Sequence, residues 1–328
     1  MDSHTGYPEP MGSALRAGLR APSPHNTQPW LFEVGADRVD VVLDRDRVLS
    51  VADPDAHEAR LACGAAVFNI RLSLLAAGRA AVVRLLPDPA RPDLLASIRV
   101  AGARSVTPAD QRLATAIPRR HTNRRPFLDR PVPEPAKAEL VRAAQIENAA
   151  LRLVELPAEV DALAAIIRRG EVLQTQDPVY LNELRRWVHA IADRGDGVRL
   201  SSLGPAADAA TFVAPRWFAD VDGPARTFER QPLLAVLTTP GDRPADQVQA
   251  GQAMQRVLLA ATDLGLCSSF LSQPIEIPAL RSALRGLLGR QPHVVLRLGY
   301  GYAGVPAARR ELADVIRPLR TDAMTGGA

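Results

Sequence analysis

The chain has 328 residues, with 47% hydrophobic and 23% charged residues and a net charge of +4 at neutral pH. This length allows one large domain or two smaller ones, and the composition is ordinary for a soluble globular protein. No run of 18 apolar residues occurs, and residues 1–10 lack the basic and apolar regions of a signal peptide. We therefore expect a loose N-terminal arm and no contact with a membrane.

The charge pattern favours anionic small ligands over nucleic acid. Lys137 is the only lysine, so arginine carries the positive charge, and arginine binds phosphate in a bidentate manner. Arginine alternates with Asp and Glu along most segments, and aromatic residues are only 4%, which disfavours a nucleic-acid site. Cys63 and Cys267 lie in apolar segments, which predicts buried thiols in a cytoplasmic protein.

The first elements in the chain surround an unusual loop. Residues 11–20 have helical periodicity, and residues 30–34 and 38–44 alternate like a hairpin. The loop at residues 21–30 reads A-P-S-P-H-N-T-Q-P-W, and its three prolines restrict the backbone. A solvated turn is the alternative, because Pro, Ser and Asn are common in turns. A simple turn, however, requires neither this length nor a closing Pro-Trp.

A long helix is predicted at residues 57–77, and it is similar to a later one. Residues 64–78 align without gaps on residues 251–265 at a constant offset of 187, with identical residues at Gly64/Gly251, Ala66/Ala253, Leu72/Leu259 and Gly78/Gly265. Chance similarity between two Ala/Leu-rich helices is the alternative. Strand patterns follow each helix, at residues 81–86 and 97–101 and again at 294–299. We therefore expect two related halves, residues 1–117 and 118–328.

The second half opens on an arginine-rich segment, residues 119–127, which could also be a charged linker. Helices are predicted before it at residues 108–116 and after it at 136–145. Residues 171–223 contain a helical pattern at 179–191 and several loop signals, which together predict an insertion that acts as a lid.

The remaining segments exclude several kinds of site. Residues 233–238 return to a strand pattern, and the Ser-rich residues 266–273 lack the G-x-S-x-G motif of hydrolases. Residues 299–304 match G-x-G-x-x-G, but Pro306 follows and no βαβ unit has room. No His, Cys or Asp cluster has metal-ligand spacing, so no metal site is expected. Glu276 is interpreted as part of the first turn of the next helix.

The loop at residues 21–30 resembles the A-P-S-x-x-N-x-Q-P-W motif of the FMN-dependent nitroreductase superfamily. Residues 119–127 resemble the R-R/H-S-x-R/K-x-F motif of the same family. Over residues 15–315 the chain is similar to the Acg-like, dormancy-associated nitroreductases of actinobacteria. The resemblance implies an α+β, nitroreductase-like fold in which two halves of one chain mimic the family homodimer. Because each half retains only one part of the site, it also implies one FMN per chain.

The resemblance also implies roles for individual residues. Arg120 and Thr122 would meet the FMN phosphate and ribityl end, His121 would contact the ribityl chain through its backbone, and Arg124 would approach N1 of the ring. Main-chain amides of the Ser-rich strand end would face N5, so Ser269 and Arg124 are assigned to the reaction. The remaining residues are assigned to cofactor binding: Pro22, Ser23, Pro24, Asn26, Gln28, Phe270, Leu271, Ser272, Arg309 and Arg310.

Two functions are compatible with this resemblance. The first is an oxidoreductase that takes hydride from NADPH or NADH through flavin N5 and reduces a small, electron-poor acceptor. The second is an FMN storage or sequestering protein whose lid blocks the flavin. Many family members have a Glu-Gly pair at the Ser-rich strand end, which this chain lacks, and this difference favours the second. The internal pairing of the halves implies a monomer or a weak homodimer.

Overall fold

The computed structural model describes residues 7, 9–190, 194–219, 223–302 and 304–320. Most of the predicted N-terminal arm lies outside these residues. Helices and mainly antiparallel strands are both present, which confirms the α+β class. The first part of the chain contains three helices and four strands: α1 Met11–Leu19, β1 Trp30–Val34, β2 Arg38–Leu43, α2 His57–Ala76, β3 Arg79–Leu85, β4 Leu94–Ala103 and α3 Pro108–Ala116.

The second part of the chain contains a longer series of elements. They are α4 Glu134–Ile146, β5 Ala150–Val154, α5 Pro157–Thr175, α6 Pro178–Trp187, β6 Val188–His189, β7 Val198–Arg199, β8 Leu233–Thr239, α7 Pro244–Asp263, β9 Cys267–Phe270, α8 Gln273–Glu276, α9 Pro278–Leu288, β10 Gln291–Gly299, α10 Leu312–Val315 and β11 Ile316–Pro318.

The two main sheets share one strand arrangement. One has the order β11-β1-β2-β4-β3 and the other β5-β8-β10-β9. The four strands β1-β2-β4-β3 correspond to β5-β8-β10-β9, and all of these pairs are antiparallel. In the first sheet the 20-residue helix α2 connects β2 to β3, and in the second the 20-residue helix α7 connects β8 to β9. Strand β11 pairs in parallel with β1, so the end of the chain joins the sheet formed by its beginning.

The structure differs from the sequence-based expectation mainly around the predicted insertion. The helix expected at residues 179–191 ends at Trp187, because Val188 adopts extended geometry and pairs with Val198 in β6–β7. Helix α5 was not expected, and the predicted start of the insertion at residue 171 lies inside it. The connection between β5 and β8 spans residues 155–232, whereas the corresponding connection between β1 and β2 is a short turn.

Helices α2 and α7 pack together at the centre of the molecule. Most residues of both helices are buried; α2 is largely apolar, whereas the buried residues of α7 include the glutamines Gln247, Gln252 and Gln255. Helix α2 is also long and apolar enough to cross a membrane by length and composition alone. However, 72% of the apolar 18-residue stretch of α2 is buried inside the protein, and core helices of soluble proteins can have the same length and composition.

The two helices approach most closely at a pair of glycines. A Cβ built on Gly64 would overlap the carbonyl oxygen of Val248 and lie 3.0 Å from Cα of Gly251. A Cβ built on Gly251 would overlap the carbonyl oxygen of Leu61. Each glycine thus lies against the carbonyl of the residue that precedes the other glycine by three positions (251 − 248 = 3 and 64 − 61 = 3). The absence of side chains here permits main-chain contact between the helices.

We predict that Gly64→Ala destabilises the protein by about 1–3 kcal/mol, because the helices must separate to admit a methyl group at a tightly packed position. Gly286→Ala is the matched control, since it lies in exposed helix α9 with nothing within 4 Å of the new Cβ. That control should stabilise the helix by about 0.5–1 kcal/mol. Urea unfolding of the three proteins measures both effects, and a Gly64→Ala variant as stable as wild type would contradict the packing argument.

Candidate functional site

The loop at residues 21–30 is fixed in an uncommon backbone conformation. His25, Asn26 and Gln28 have φ of 46°, 57° and 53°, which is the left-handed region that side chains other than glycine rarely adopt. Ser23 helps to hold this shape, because its Oγ accepts a hydrogen bond from the Gln28 amide at 2.9 Å. Strained backbone of this kind persists only where surrounding contacts stabilise it, and it is frequent at binding sites.

Those contacts come from two distant segments. The Asn26 side-chain amide donates to the carbonyls of Gly197 and Ala308, each at 3.1 Å. The Gln28 side-chain amide donates to the Gly195 carbonyl at 2.9 Å and accepts from the Arg310 amide at 2.9 Å. The loop is therefore attached to residues 195–197 and to residues 308–310.

A cavity next to this loop, here called the central cavity, collects many of the predicted site residues. It lies where the loop, the arginine-rich segment and the end of β9 meet above α2 and α7. Its lining includes Pro22, Ser23, Pro24, Thr122, Arg124, Ser269, Phe270 and Ser272. Three segments that are far apart in the sequence thus converge on one site. The other predicted residues lie outside its wall.

Arg124 contributes positive charge to the central cavity. It makes no ion pair among the residues that the structure describes, and its guanidinium lies 4.8 Å from the centre of the Phe218 ring. Burial, followed by the nearby charge of Arg216, lowers the pKa of Arg124 to about 10, so it remains charged at neutral pH. A cation without a carboxylate partner in an apolar cavity is suited to bind an anionic or electron-rich ligand.

Arg120 and Arg309 form a second positive region beside the loop. Both guanidinium groups approach the carbonyl of Arg20, at 3.4 Å and 3.3 Å. Arg120 is buried, and its Nε and Nη1 atoms have no hydrogen-bond partner in the described part of the chain. Burial lowers the pKa of Arg120 to about 10. Burial, together with the charge of Arg120, lowers the pKa of Arg309 to about 9.

Arg120 is buried and Arg309 is half-buried, and neither has a carboxylate partner among the described residues. An anion between the two guanidinium groups would offset this uncompensated charge. Arg309 donates to the carbonyls of Leu19 and Ala21 and to Asn26 Oδ1, which fixes its position but does not neutralise its charge. The loop continues directly from Arg20 to Pro22 and Ser23, so the arginine pair and the central cavity are neighbours along the chain.

The other predicted residues occupy supporting positions. His121 Nε2 accepts from the Gly304 amide at 2.9 Å, and Arg310 approaches Asp44 at 3.6 Å. Leu271 is fully buried in a separate hydrophobic cluster. These three, like Asn26 and Gln28, do not line the central cavity, and their predicted roles in cofactor binding stay predictions.

A buried arginine that the sequence did not indicate holds the arginine-rich segment in place. Arg297 in β10 is completely buried and forms an ion pair with Glu229 at 3.1 Å. It also donates to the Arg125 carbonyl at 2.8 Å, and its guanidinium lies 3.9 Å from the centre of the Phe127 ring. Glu229 in turn accepts from the Phe127 amide at 2.9 Å. Because the Arg297–Glu229 ion pair bonds to residues 125 and 127, it also fixes the position of the neighbouring Arg124.

The sequence patterns did not identify several residues that line the central cavity. Glu58 comes from the first turn of α2, where an acidic residue is ordinary. Glu276 lies in the first turn of the short helix α8, as expected, but its side chain is almost fully buried and lines the cavity, which the sequence did not indicate. Arg216 and Phe218 belong to the long connection, and no local pattern marks them.

Arg216 and Phe218 place the connection against the predicted site. Arg216 forms an ion pair with Glu276 at 2.6 Å and donates to His25 Nε2 at 3.0 Å. Burial and the charges of Arg216 and Arg124 lower the pKa of His25 well below its ordinary value, so His25 is a neutral acceptor. The Phe218 ring packs edge-on against His25. Residues 215–218 thus form one wall of the central cavity.

A separate cluster of possible metal ligands contains His57, Asp242 and His293, whose ligand atoms lie within 4.8 Å of one another. These residues are far apart in the sequence, so the fold alone brings them together. The Arg281 guanidinium, however, lies 2.8 Å from His57 Nε2 and 2.7 Å from Asp242. A cation of the protein therefore already bonds to this group. The sequence-based expectation of no metal site stays a prediction.

Comparison with known proteins identifies the family of this chain. The sequence profile of the nitroreductase family matches residues 117–302, which is more than half of the chain. The chain belongs to the nitroreductase family. The profile covers the arginine-rich segment, β9 and α7, and therefore much of the central cavity.

Two relatives resemble this chain over nearly its whole length. A Mycobacterium tuberculosis protein, provisionally named NAD(P)H nitroreductase Rv3131, is 32% identical over 96% of this chain and 93% of its own. The provisionally named NAD(P)H nitroreductase acg of the same organism is 32% identical over 88% of each chain. The predicted resemblance to Acg-like proteins is thereby confirmed.

Among solved structures, a nitroreductase with bound FMN from Desulfitobacterium hafniense is 14% identical. It covers 64% of this chain and 98% of its own, with a TM-score of 0.41.

We predict that Arg297→Met destabilises the protein by about 3–5 kcal/mol, because it leaves Glu229 charged and buried without a cationic partner. The double variant Arg297→Met/Glu229→Gln should recover part of this loss, since no charge then remains unpaired. Chemical unfolding of the two single variants and the double variant measures the coupling. Additive losses would show that the ion pair does not hold the segment.

Proposed function

We propose that this chain binds one FMN, with its phosphate at Arg120 and Arg309 and its ring in the central cavity. The adjacent arginines, Arg120 buried with unsatisfied donors and Arg309 half-buried, have no carboxylate partner among the described residues, and this observation carries the proposal. Phosphate satisfies such a pair with charge-assisted hydrogen bonds. The apolar wall of the cavity, with Arg124 as its unpaired cation, suits a flavin ring.

The proposed activity is NAD(P)H-dependent reduction of a small, electron-poor acceptor. When bound, FMN supplies hydride transfer through its N5 atom. Within the chain, the role of Arg124 is to stabilise negative charge on the ring, and the role of the strained loop is to orient it. Ser269 lines the same cavity, its proposed role is to present main-chain amides to the ring, and the role of residues 215–218 is to exclude water. NADPH and NADH are both compatible with this arrangement.

We also propose that the chain consists of two related halves that mimic a homodimer. The identical strand order of the two sheets and their matching connecting helices support this proposal. The reciprocal contacts of Gly64 and Gly251 resemble those of a two-fold interface, where each surface meets its own copy. Because the loop lies in one half and the arginine-rich segment in the other, the halves form one FMN site together.

A second function, FMN storage under a closed lid, is favoured by the position of residues 194–219. The central cavity has a volume of about 80 Å³, below the range of about 300–1,000 Å³ typical of small-molecule sites. Phe218 and Arg216 must therefore move for a flavin ring to enter. If they return after binding, an acceptor cannot reach the ring.

Anaerobic mixing with NADPH or NADH separates the two functions. We predict that protein incubated with FMN retains yellow colour after desalting, and that an enzyme loses flavin absorbance rapidly on mixing with the nucleotide. Phe218→Ala should accelerate the reaction if residues 194–219 obstruct the ring. Phe212→Ala is the matched control, because Phe212 lies in the same segment but packs against Arg168 and a separate cluster. A protein that stays colourless would refute the proposed function.

Replacing the two proposed cofactor-binding arginines should give different results. Arg124→Ala should lower the midpoint potential of bound FMN by about 30–65 mV, since losing a charge-assisted contact to the reduced ring costs about 1.5–3 kcal/mol. Arg309→Ala should instead weaken FMN binding with little change in potential, because the phosphate is charged in both redox states. Redox titration and FMN dissociation constants measure the two effects. An unchanged potential in Arg124→Ala would exclude its proposed position at the ring.

A further inference from the structure

Two carboxyl groups separate the central cavity from a second cavity that opens to solvent. Glu58 and Glu276 line both of them. The second cavity, here called the acidic cavity, has a volume of about 410 Å³ and also contains Asp53, Asp55 and Asp242 in its wall. A proton that moves from solvent in the acidic cavity to the central cavity therefore needs to pass only the side chains of Glu58 and Glu276.

Glu58 and Glu276 form a pair of buried carboxyl groups that both cavities share. Two carboxyl groups in one buried site disfavour a second negative charge. Arg216 neutralises Glu276 through its contact at 2.6 Å. Glu58 Oε2 is buried and has no hydrogen-bond partner among the described residues, so no donor there stabilises a charged carboxylate.

The surroundings of Glu58 favour its neutral form. The titratable and charged groups that face it from the neighbouring elements are Asp53, Glu276, Arg216 and Tyr180. Burial, followed by the negative charges of Glu276 and Asp53, raises the pKa of Glu58 well above its ordinary value. Burial also raises the pKa of Asp53 to about 6, which suits a group that exchanges protons near neutral pH.

Asp53 connects Glu58 to the acidic cavity. Its two carboxylate oxygens accept from the main-chain amides of Glu58 at 3.0 Å and Ala59 at 2.8 Å. It thereby caps the start of α2 and holds Glu58 between the two cavities. Asp53 also lines the acidic cavity.

We propose that Glu58 donates a proton to the acceptor in the central cavity and regains it from water in the acidic cavity, which Glu58 also lines. This inference rests on the proposed oxidoreductase function. The overall reaction, NAD(P)H + acceptor + H⁺ → NAD(P)⁺ + reduced acceptor, consumes one proton for each hydride. The acceptor receives the hydride and forms a new bond to the Glu58 proton, and the Glu58 O–H bond breaks to leave a carboxylate. A proton from water in the acidic cavity then restores the acid.

Glu58→Gln tests this role, because it preserves the shape and a hydrogen-bond donor but cannot release a proton. FMN binding and the rate of flavin reduction by NADPH should change less than twofold, whereas acceptor reduction should fall by about 10²-fold or more. Glu58→Asp keeps an acid at this position and should recover part of the rate. An acceptor rate in Glu58→Gln equal to that of wild type would overturn the proposal.

Glu171→Gln is the matched control for a merely structural effect. Glu171 accepts from the Trp217 amide and from Gln273, so it also fixes residues near 217, but it does not line the central cavity. Wild type should lose acceptor reduction as pH rises and Glu58 ionises, and Glu171→Gln should keep that pH profile. If Glu171→Gln shows the same loss of rate as Glu58→Gln, the carboxyl pair only positions the segment and the proposal fails.

The pH dependence of stability provides a readout that needs no activity. Because the native protein keeps a Glu58 proton that the unfolded chain releases near its ordinary pKa of about 4.3, native protein binds more protons above that pH. The unfolding free energy should therefore fall as pH rises from the pKa of Glu58 in the unfolded chain to its higher pKa in the folded protein. Glu58→Gln should abolish this pH dependence, because glutamine does not titrate. Equal slopes in urea unfolding would show that Glu58 is not protonated and would overturn the proposal. Failure to bind FMN instead overturns the oxidoreductase function on which the proposal rests.

Discussion

The main-chain contact between α2 and α7 at Gly64 and Gly251 determines where the site can form. Because neither helix has a side chain at the crossing, the helices approach closely enough for both to border the same cavity. Glu58, Leu61 and Ala62 project from one helix and Met254 from the other. A wider separation would enlarge this space and move the loop at residues 21–30, which packs above it, away from the arginine-rich segment.

Electrostatics then divide the site into regions of opposite character. Buried Arg120 lies beside half-buried Arg309 without a counter-charge among the described residues, whereas Glu58, Glu276 and Asp53 cluster near Arg216, which pairs with Glu276. Each group would be unfavourable alone, because burial penalises unpaired charge and like charges repel. Unfavourable arrangements of this kind are more common at functional sites than elsewhere. The protein tolerates them because a large apolar core contributes most of its stability.

Local sequence patterns predicted much of the fold and part of the site. The loop at residues 21–30 and the segment at residues 119–127 are contiguous motifs, so their residue types were readable without a structure. Glu58 and Glu276 were not, because they are 218 positions apart (276 − 58) and each lies in an ordinary helical context. The orientation of Asn26 and Gln28 depends on contacts with residues 195–197, in a connection that has no local signature. Long-range contacts therefore account for most of what the sequence alone could not supply.

The pairing of β11 with β1 has a consequence for the order in which the molecule is made. Strand β1 contains Phe32 and Val34, whose side chains are buried in the finished fold, and its outer neighbour is supplied by residues 316–318. During synthesis the chain emerges from its N-terminus, so β1 exists for most of that time as an unpaired sheet edge. Exposed edges of this kind attract other strands and promote aggregation. Completion of the first sheet must therefore wait until residues 316–318 have been synthesised, so this edge stays open while the intervening residues fold.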